Sequence, residues 1–444
     1  MNLKETVLKF IPSPLLYFYH YSLARLSSLI YRNPSSKMVV IGITGTAGKS
    51  TTTWLAGKIF SLCGLKTGWT STISFKIKDK EIPNALKMTM PGRFFLSRTL
   101  KQMADNGIEY AFVETTSQGI SQARHLPVHY DGAIFTNLSP EHIESHGSFE
   151  KYKKEKQKLF AFLSKCKHKT IKGKKIPKVI IANLDDKNAA DFLKFPVDQY
   201  YGYTLGRIKV DKNFLASKNI KLIEAKDINC TKEGSSFRVG NNEFKTNLIG
   251  EFNIYNILAC LCLADYFSVP FEKINEALSK IKFIPGRMEQ VCHSPFSVFV
   301  DYAHTPHELE KVYKTLKERG DKLICVLGSA GGGRDKWRRP ELGKIAANYC
   351  QYIILTDEDP YDENPQEIID EIEKGLLSVH NSSSQYFKIL DRTEAIKKAI
   401  SLAKPDSQII ITGKGSELCI CGPNNKKIPY NDKETVQKIL TTCG

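Results

Sequence analysis

The sequence predicts an α/β chain of two doubly wound units, with a small antiparallel sheet attached to the first. Three observations carry this. From Met38 to about Ala182, short β-branched runs alternate with helix-period stretches, the pattern of a parallel sheet covered on both faces. Over Ile220–Leu248 the periodicity changes to short alternating runs. Beyond Phe283-Ile284-Pro285-Gly286-Arg287, which reads as a linker, strand–helix alternation resumes.

The elements follow in order. Met38–Ile43 is a strand, glycines follow, and Thr51–Leu62 is helical. Further strands are predicted at Tyr110–Val113, Gly132–Phe135 and Val179–Ala182. Phe237 and Val239, then Phe244 and Thr246, flank Gly240-Asn241-Asn242, a hairpin signal. Helices are predicted at Asn253–Phe267 and Phe271–Lys280. The second unit should hold strands Ser297–Val300, Leu323–Leu327, Tyr352–Leu355 and Gln408–Ile411. A chain of 444 residues exceeds one core, since single cores stop growing near ~250–300 residues. The division expected is an arm over 1–37, a central domain over 38–284 and a C-terminal domain over 285–444.

With 41% hydrophobic and 25% charged residues, wholesale disorder is excluded. The net charge is +17, and the run Lys151–Lys178 is rich in lysine. It has few interleaved aromatics, so no stacking platform for nucleic acid is evident, and a solvated helix face and loop is expected. Eleven cysteines include no Cys-x-x-Cys pair, which argues against structural zinc. With no cleavable signal peptide evident, reduced thiols in a cytoplasm are expected. Residues 10–31 are apolar and aromatic, with Arg25 within the stretch and Arg32 just after it. The part without formal charge, Phe10–Ala24, is too short for a spanning helix of about 20 apolar residues. Two readings stay open: an arm packed on the body, or an interfacial helix at the inner face of the plasma membrane.

Gly42-Ile43-Thr44-Gly45-Thr46-Ala47-Gly48-Lys49-Ser50-Thr51 lies where strand meets helix. Glycines let backbone N–H groups approach phosphate oxygens, and the helix N-terminus adds positive charge there. Lys49 can reach terminal phosphates and Ser50 can hold Mg²⁺. The spacing departs from the usual phosphate-loop pattern: Ile43 stands five before Gly48, and Gly45 three before it.

This Thr-Gly-Thr-x-Gly-Lys-Ser form resembles that of Mur ligases and folylpolyglutamate synthetases. The resemblance extends from Met38 onward, through Glu114-Thr115-Thr116-Ser117, Asn137-Leu138-Ser139-Pro140-Glu141-His142, Tyr152 with Lys156, Gly250–Asn256, Pro285-Gly286-Arg287, Asp301-Tyr302-Ala303-His304, Gly331–Lys336 and Gly413-Lys414-Gly415-Ser416-Glu417. In order and spacing these are most similar to the Mur ligases that add the third peptide residue. The resemblance implies an ATP-dependent ligase that phosphorylates a carboxylate and joins it to an amine. Gly45, Thr46, Gly48, Lys49, Ser50 and Thr51 would hold the phosphates. Ser50 and Glu114 would hold one Mg²⁺; His142 and Lys156 would serve a second, with Lys156 carbamylated, an anion suited to a hard cation. Asn256 would contact adenine, and Arg287 and Asp301 would complete the nucleotide site. Lys49, Glu114, His142 and Lys156 are the residues expected to carry the chemistry.

Thr89, Ser117 and Arg124 match contacts to a muramoyl-L-Ala-D-Glu acceptor, where Arg124 could hold an anionic group through bidentate bonds. Arg334, Gly413 and Glu417 match contacts to the incoming amino acid. Members using meso-diaminopimelate carry Asp-Asn-Pro-Arg where this chain has Glu358-Asp359-Pro360-Tyr361. Tyr361 cannot pair with a distal carboxylate, and Glu358, Asp359 and Glu417 form an acidic pocket, so a free terminal amine such as that of L-lysine is expected. Members of this type also carry an N-terminal domain for the UDP moiety, and residues 1–37 do not match one. A lipid-linked acceptor is one way to account for this. Two other readings stay open: a folylpolyglutamate synthetase-like ligase, and a basic ATPase acting on nucleic acid.

Overall fold

The computed structural model describes residues 13–442 apart from 142, 321, 381 and 382. The first sheet is built from β1 (Val39–Thr44), β2 (Thr67–Thr70), β3 (Ser74–Lys76), β4 (Glu81–Pro83), β5 (Tyr110–Glu114) and β6 (Gly132–Phe135). After a short hairpin, β7 (Thr170–Ile171) and β8 (Lys174–Lys175), it continues with β9 (Val179–Asn183), β10 (Gln199–Thr204) and β11 (Lys221–Glu224). The order is β11-β10-β9-β6-β1-β5-β2-β3-β4. All pairings are parallel except those of β3 with β2 and β4. A separate antiparallel sheet holds β12 (Lys226–Cys230), β13 (Ser235–Val239) and β14 (Asn242–Thr246). The hairpin joins Val239 to Asn242, as its sequence predicts.

Successive side chains of a strand point to opposite faces, so each sheet feeds two cores. Ile41 and Ile43 pack on one face of the first sheet with Trp54, Phe60 and Leu258. Val40 packs on the other with Leu100, Phe135 and Phe160. The helix Glu251–Tyr266 is apolar nearly all round and correspondingly buried, against the sheet and the helix Lys49–Leu62. It starts two residues before the predicted Asn253, directly after Gly250 at a φ of 87°.

The second sheet comprises β15 (Glu289–Cys292), β16 (Ser297–Val300), β17 (Leu323–Leu327), β18 (Tyr352–Leu355), β19 (Gln385–Lys388) and β20 (Gln408–Ile411). Its order is β15-β16-β20-β17-β18-β19, parallel but for β15. A final antiparallel pair is β21 (Cys419–Cys421) and β22 (Lys427–Pro429). The strands that sequence patterning misses are mostly short edge pieces. β4 and β19 are partly exposed and carry polar residues, which blurs the apolar signal.

The lysine-rich run departs from the expected solvated face. Lys156, Lys169 and Lys178 are buried. Lys169 pairs with the fully buried Asp131 at 2.6 Å, and Lys178 donates to the Tyr130 carbonyl at 2.9 Å. The rest of the run lies largely at the surface.

At the start of the described chain, Ser13–Ile30 is one helix. It rests on the helix Arg93–Asp105 through Ala24 and Ser27, whose hydroxyl lies 3.2 Å from that of Ser97. Its outer side exposes Leu15, Phe18, Leu26, Leu29 and Ile30. Among the described residues, no helix is long and apolar enough to cross a membrane. Residues 10–12 of the apolar stretch lie outside the described residues.

Arg392 and Asp432 form a buried bidentate pair at 2.8 and 2.9 Å. Arg392 also donates to the carbonyls of Asp357 and Thr412, and so ties two strand-end loops to the last helix. Removing one partner of such a pair strands a buried charge. Asp432→Ala is expected to cost about 3–5 kcal/mol of stability in urea denaturation; a loss below about 1 kcal/mol, the level of an exposed pair, would contradict this reading.

Candidate active site

β1 lies between β5 and β6, with Ile43 level with Glu114 and Thr44 level with Phe135. Three strand ends therefore open side by side at the carboxyl edge, where doubly wound sheets place their ligands. The loop Gly45–Gly48 crosses this edge into the helix Lys49–Leu62, whose N-cap, Gly48, makes no side-chain cap. Gly48 has a φ of 79°, and a Cβ there would sit 2.7 Å from Asn256 Oδ1. A Cβ on Gly45 would sit 2.0 Å from the Thr136 hydroxyl. Both glycines are thus required by close packing. Lys49 folds over the loop to donate to the Thr46 carbonyl.

Glu114 is almost fully buried at the end of β5. Its Oε1 accepts from the Ser50 hydroxyl at 2.8 Å. Its Oε2 accepts from the Thr72 backbone N–H and hydroxyl at 2.7 and 3.1 Å. The Thr72 hydroxyl lies 2.9 Å from that of Thr89. A chain of hydrogen-bonded oxygens thus runs from the phosphate loop to the predicted acceptor contact. Thr72 carries no sequence signal of its own, because it joins the site only through sheet packing.

Lys156 stands on the helix Phe149–Lys165 and is 1% exposed. Its Nζ donates to the Gly45 carbonyl at 2.6 Å and lies 4.5 Å from the Tyr152 ring centre. Burial, reinforced by the Lys49 ammonium, pushes its pKa well below the usual lysine value and favours the neutral amine. His142 lies outside the described residues. Its neighbours Ile143 and Glu144 donate their backbone N–H groups to Asp335 of the second unit, each at 3.1 Å. Near Lys156, Tyr152 meets Thr46 at 3.2 Å and Glu141 at 3.4 Å, and Glu141 lies 3.6 Å from His304. Glu141 and His304 stand in the quoted motifs, but sequence alone assigns them no role.

Two cavities open from the phosphate loop. The first, about 550 Å³, is lined by Gly48, Thr51, Asn253, Asn256, Arg287 and Asp301 among others. That size suits a small ligand. Asn256 accepts from Thr52 at 3.0 Å, which fixes its amide beside the loop. Arg287 stacks on Tyr302 with its guanidinium carbon 4.2 Å from the ring centre, and its Nη2 is buried without a hydrogen-bond partner among the described residues. Both oxygens of Asp301 accept backbone N–H groups, from Met288 and Ala303, at 2.6 Å. Asp301 therefore holds the turn that presents Arg287.

The second cavity, about 300 Å³, brings Lys49, Ser50, Thr89, Glu114, Ser117 and Arg124 opposite Arg334, Glu358, Asp359, Tyr361, Gly413 and Glu417. Among the described residues, Arg124 bonds only uncharged groups: the Met90 carbonyl, the Met88 sulfur and the Gln122 amide. Burial and the nearby Arg93 push its pKa down to about 10. Ser117, on the short helix capped by Thr116, lies 3.2 Å from His146 Nε2. A Cβ on Gly413 would sit 2.3 Å from the Glu358 carboxyl, so that glycine makes room for it.

The acidic pocket expected of Glu358, Asp359 and Glu417 is corrected by two ammonium groups. Lys414, fully buried, lies 2.7 Å from Asp359 and 2.8 Å from Glu417. Lys87, from the first unit, bonds both carboxylates as well. Glu358 is pushed up by burial and by Asp359, toward its neutral form. The pocket is charge-balanced, so its acidity no longer argues for a substrate ammonium.

The donor set fits the expected groups. Ser50, Thr72 and Glu114 present hard oxygens of the kind that Mg²⁺ takes. The crowding of Gly48 against Asn256 makes a cradle that any larger residue would fill.

A phosphate loop that faces a second α/β unit across a polar cleft suits an enzyme that brings a nucleotide to a second substrate, and the family matches make that class the ATP-dependent ligases. The Mur ligase middle-domain family matches residues 43–264, and the Mur ligase glutamate ligase domain family matches residues 286–415. The chain belongs to the Mur ligase family, whose members are ATP-dependent and typically use Mg²⁺. It is 35% identical over 426 residues to the UDP-N-acetylmuramoyl-L-alanyl-D-glutamate–2,6-diaminopimelate ligase of Caldanaerobacter subterraneus subsp. tengcongensis, covering 94% of this chain and 81% of that protein. It is 35% identical over 433 residues to the UDP-N-acetylmuramyl-tripeptide synthetase of Treponema denticola, covering 94% and 79%. Among solved structures, the folylpolyglutamate synthase of Mycobacterium tuberculosis with ADP and AMPPCP shares the fold, with a TM-score of 0.65 at 14% identity, covering 90% of this chain and 96% of that one. None of these names specifies lysine as the added residue.

Burial raises the Asp301 carboxyl to about 6, against opposing pulls from Arg287 and two backbone N–H groups. An acid whose pKa is raised on folding binds its proton more tightly in the native state. Stability is therefore present at low pH and is lost as pH rises through the folded value. From about pH 4 to 6, wild type should lose up to about 3 kcal/mol relative to Asp301→Asn in urea titrations. Parallel stability–pH curves for the two proteins would refute this.

Proposed function

We propose that this ligase adds a diamino acid, in the chemical class of diaminopimelate, to the D-glutamyl carboxylate of a muramoyl-L-Ala-D-Glu acceptor in the cytoplasm. The observation that carries the reading is the single cleft in which the phosphate loop, the unpaired Arg124 cation and the charge-balanced pocket of Asp359 and Glu417 face one another. The names of relatives about 35% identical support the substrate pair. The domain limits proposed are 38–284 for nucleotide and acceptor, and 285–444 for the amino acid.

In this reading a carboxylate oxygen of the acceptor attacks the γ-phosphorus of ATP and ADP leaves, giving an acyl phosphate. The amine nitrogen then attacks the acyl carbon, phosphate leaves, and the nitrogen gives up a proton. Lys49 and the N–H groups of the helix start bind the transferring phosphoryl group, where charge accumulates. Arg124, Thr89 and Ser117 hold the acceptor. Asn256 and Arg287 hold the nucleotide, with Asp301 bracing the turn that carries Arg287. Arg334 and Glu417 orient the amino acid, beside Glu358 and Tyr361. Mg²⁺ ions, held by Ser50 and Glu114 and by His142 with Lys156, would neutralise charge between the two polyanions. Opposed walls from two units exclude water, which would otherwise hydrolyse the acyl phosphate.

Lys156 is proposed to carry a carbamate. The neutral amine that its burial favours is the form that adds CO₂ and releases a proton. In ¹³C-bicarbonate, the wild-type protein should show a carbamate resonance that Lys156→Arg lacks, and that variant should lose activity by about 100-fold or more. A resonance unchanged in the variant would sink the assignment.

The ligase reading is tested by phosphate release from ATP with the muramoyl-dipeptide and a panel of amino acids, with mass spectrometry of the product. Release that requires both acceptor and diaminopimelate is expected. Release independent of any amino acid would indicate a plain ATPase, and glutamylation of a folate would indicate the alternative ligase.

A peripheral membrane contact is proposed for the helix Ser13–Ile30, because its outer side exposes Phe18 and Leu29 at 68% and 70%. The whole chain should sediment with anionic vesicles, and Phe18→Ser/Leu29→Ser should not. Equal absence of binding in both would overturn this.

A further inference from the structure

Lys87 lies on the loop between β4 and the helix Arg93–Asp105, and no motif read from the sequence includes it. Its backbone is left-handed, with a φ of 56°, uncommon for a residue with a side chain. The loop is tied down at several points. Asn84 donates to the carbonyls of Ser71 and Met88 and accepts from the Leu86 N–H. Lys427 of the second unit donates to the Ala85 carbonyl at 3.0 Å. Two residues beyond Lys87, Thr89 joins the Thr72–Glu114 chain. So anchored, the loop drives the Lys87 side chain, 9% exposed, across the cleft onto Asp359 and Glu417.

The result is an alternating square of two ammonium groups and two carboxylates. Asp359 Oδ1 is taken by Lys414 and the Cys421 N–H, and Oδ2 by Lys87. Glu417 Oε2 is shared by both lysines. A substrate ammonium would have to displace Lys87 from two carboxylates at once. Beside the square, the cleft is faced by the cations Arg334 and Arg338, the latter buried, and by Glu358, which burial and Asp359 push toward its neutral form.

We propose that Lys87 is a specificity-determining residue of the amino-acid pocket: by neutralising Asp359 and Glu417 from the opposite wall, it makes the pocket favour an amino acid with a second carboxylate over one that ends in a bare ammonium. The inference rests on the reading of this pocket as the amino-acid site. Lys87 thus supplies the positive charge that Tyr361 does not.

The test compares the full-length wild type with Lys87→Met and Lys87→Arg. Thermal melting verifies that each folds. Two quantities are read for diaminopimelate and L-lysine: kcat/KM in the phosphate-release assay, and Kd by calorimetry in the presence of ATP analogue and Mg²⁺. Wild type should prefer diaminopimelate. In Lys87→Met the preference should fall by about tenfold or more, with KM rising for diaminopimelate and falling for lysine; Lys87→Arg should keep it within about threefold. A preference unchanged in Lys87→Met, with wild type active, overturns the role of Lys87 alone. Equal falls in KM for both amino acids would mean that Lys87 merely plugs the pocket, and also overturn it. A wild type that binds neither compound overturns the pocket reading itself, and this inference with it.

Discussion

The parallel pairing of β1 between β5 and β6 is the constraint on which the site depends. Its register brings the phosphate loop, Glu114 and the Thr136–Asn137 turn to one edge within hydrogen-bonding reach. Because the strands run in one direction, every loop leaving that edge faces the same cleft. The loop is then immobilised from three sides: Asn137 holds the Thr46 and Ala47 N–H groups, Lys156 holds the Gly45 carbonyl, and Asn256 packs on Gly48. A phosphate-binding loop fixed in this way does not have to reorganise when charge develops on its ligand.

The second constraint is that neither unit completes a site alone. The cleft facing the phosphate loop is closed by residues after β16, β17, β18 and β20, again the carboxyl ends of parallel strands. Contacts across the cleft itself are polar, with Asp335 capping the helix Ile143–His146 and Lys87 entering the Asp359–Glu417 pair, while apolar contact between the units includes Ile249 and Phe252. Polar interfaces of this kind can open and close, whereas a large apolar one would lock. That suits a reaction whose substrates must enter from water and whose intermediate must be kept from it.

Much of this was legible in the sequence. The phosphate loop, the strands of both sheets' centres and the hairpin before Thr246 were readable because centre strands are apolar on both faces, and because turn glycines have few substitutes. Strands β4, β11 and β19 were not, since they are partly exposed, and the buried β2 was not, because Thr-Gly-Trp-Thr makes no apolar run. Nor were Thr72, Glu141 and His304 assignable, because a lone hydroxyl, carboxylate or imidazole carries no positional signal until the chain folds. The lysine-rich run illustrates the same limit: Lys156, Lys169 and Lys178 resemble their solvated neighbours in sequence, and burial alone separates them.

Charge around Asp359 and Glu417 marks the boundary most clearly. Sequence by itself determined the family, the two sheets and the acidic residues Glu358, Asp359 and Glu417, since these follow from local pattern and ordered motifs. It could not determine the sign of the pocket. Asp359 is paired with Lys414 from a neighbouring loop and with Lys87, 272 positions away along the chain. Coulomb energy depends on distance in space and on burial, neither of which is linear in sequence separation. Only the tertiary structure, which brings the Lys87 loop across the cleft, decided that the pocket is balanced and not acidic.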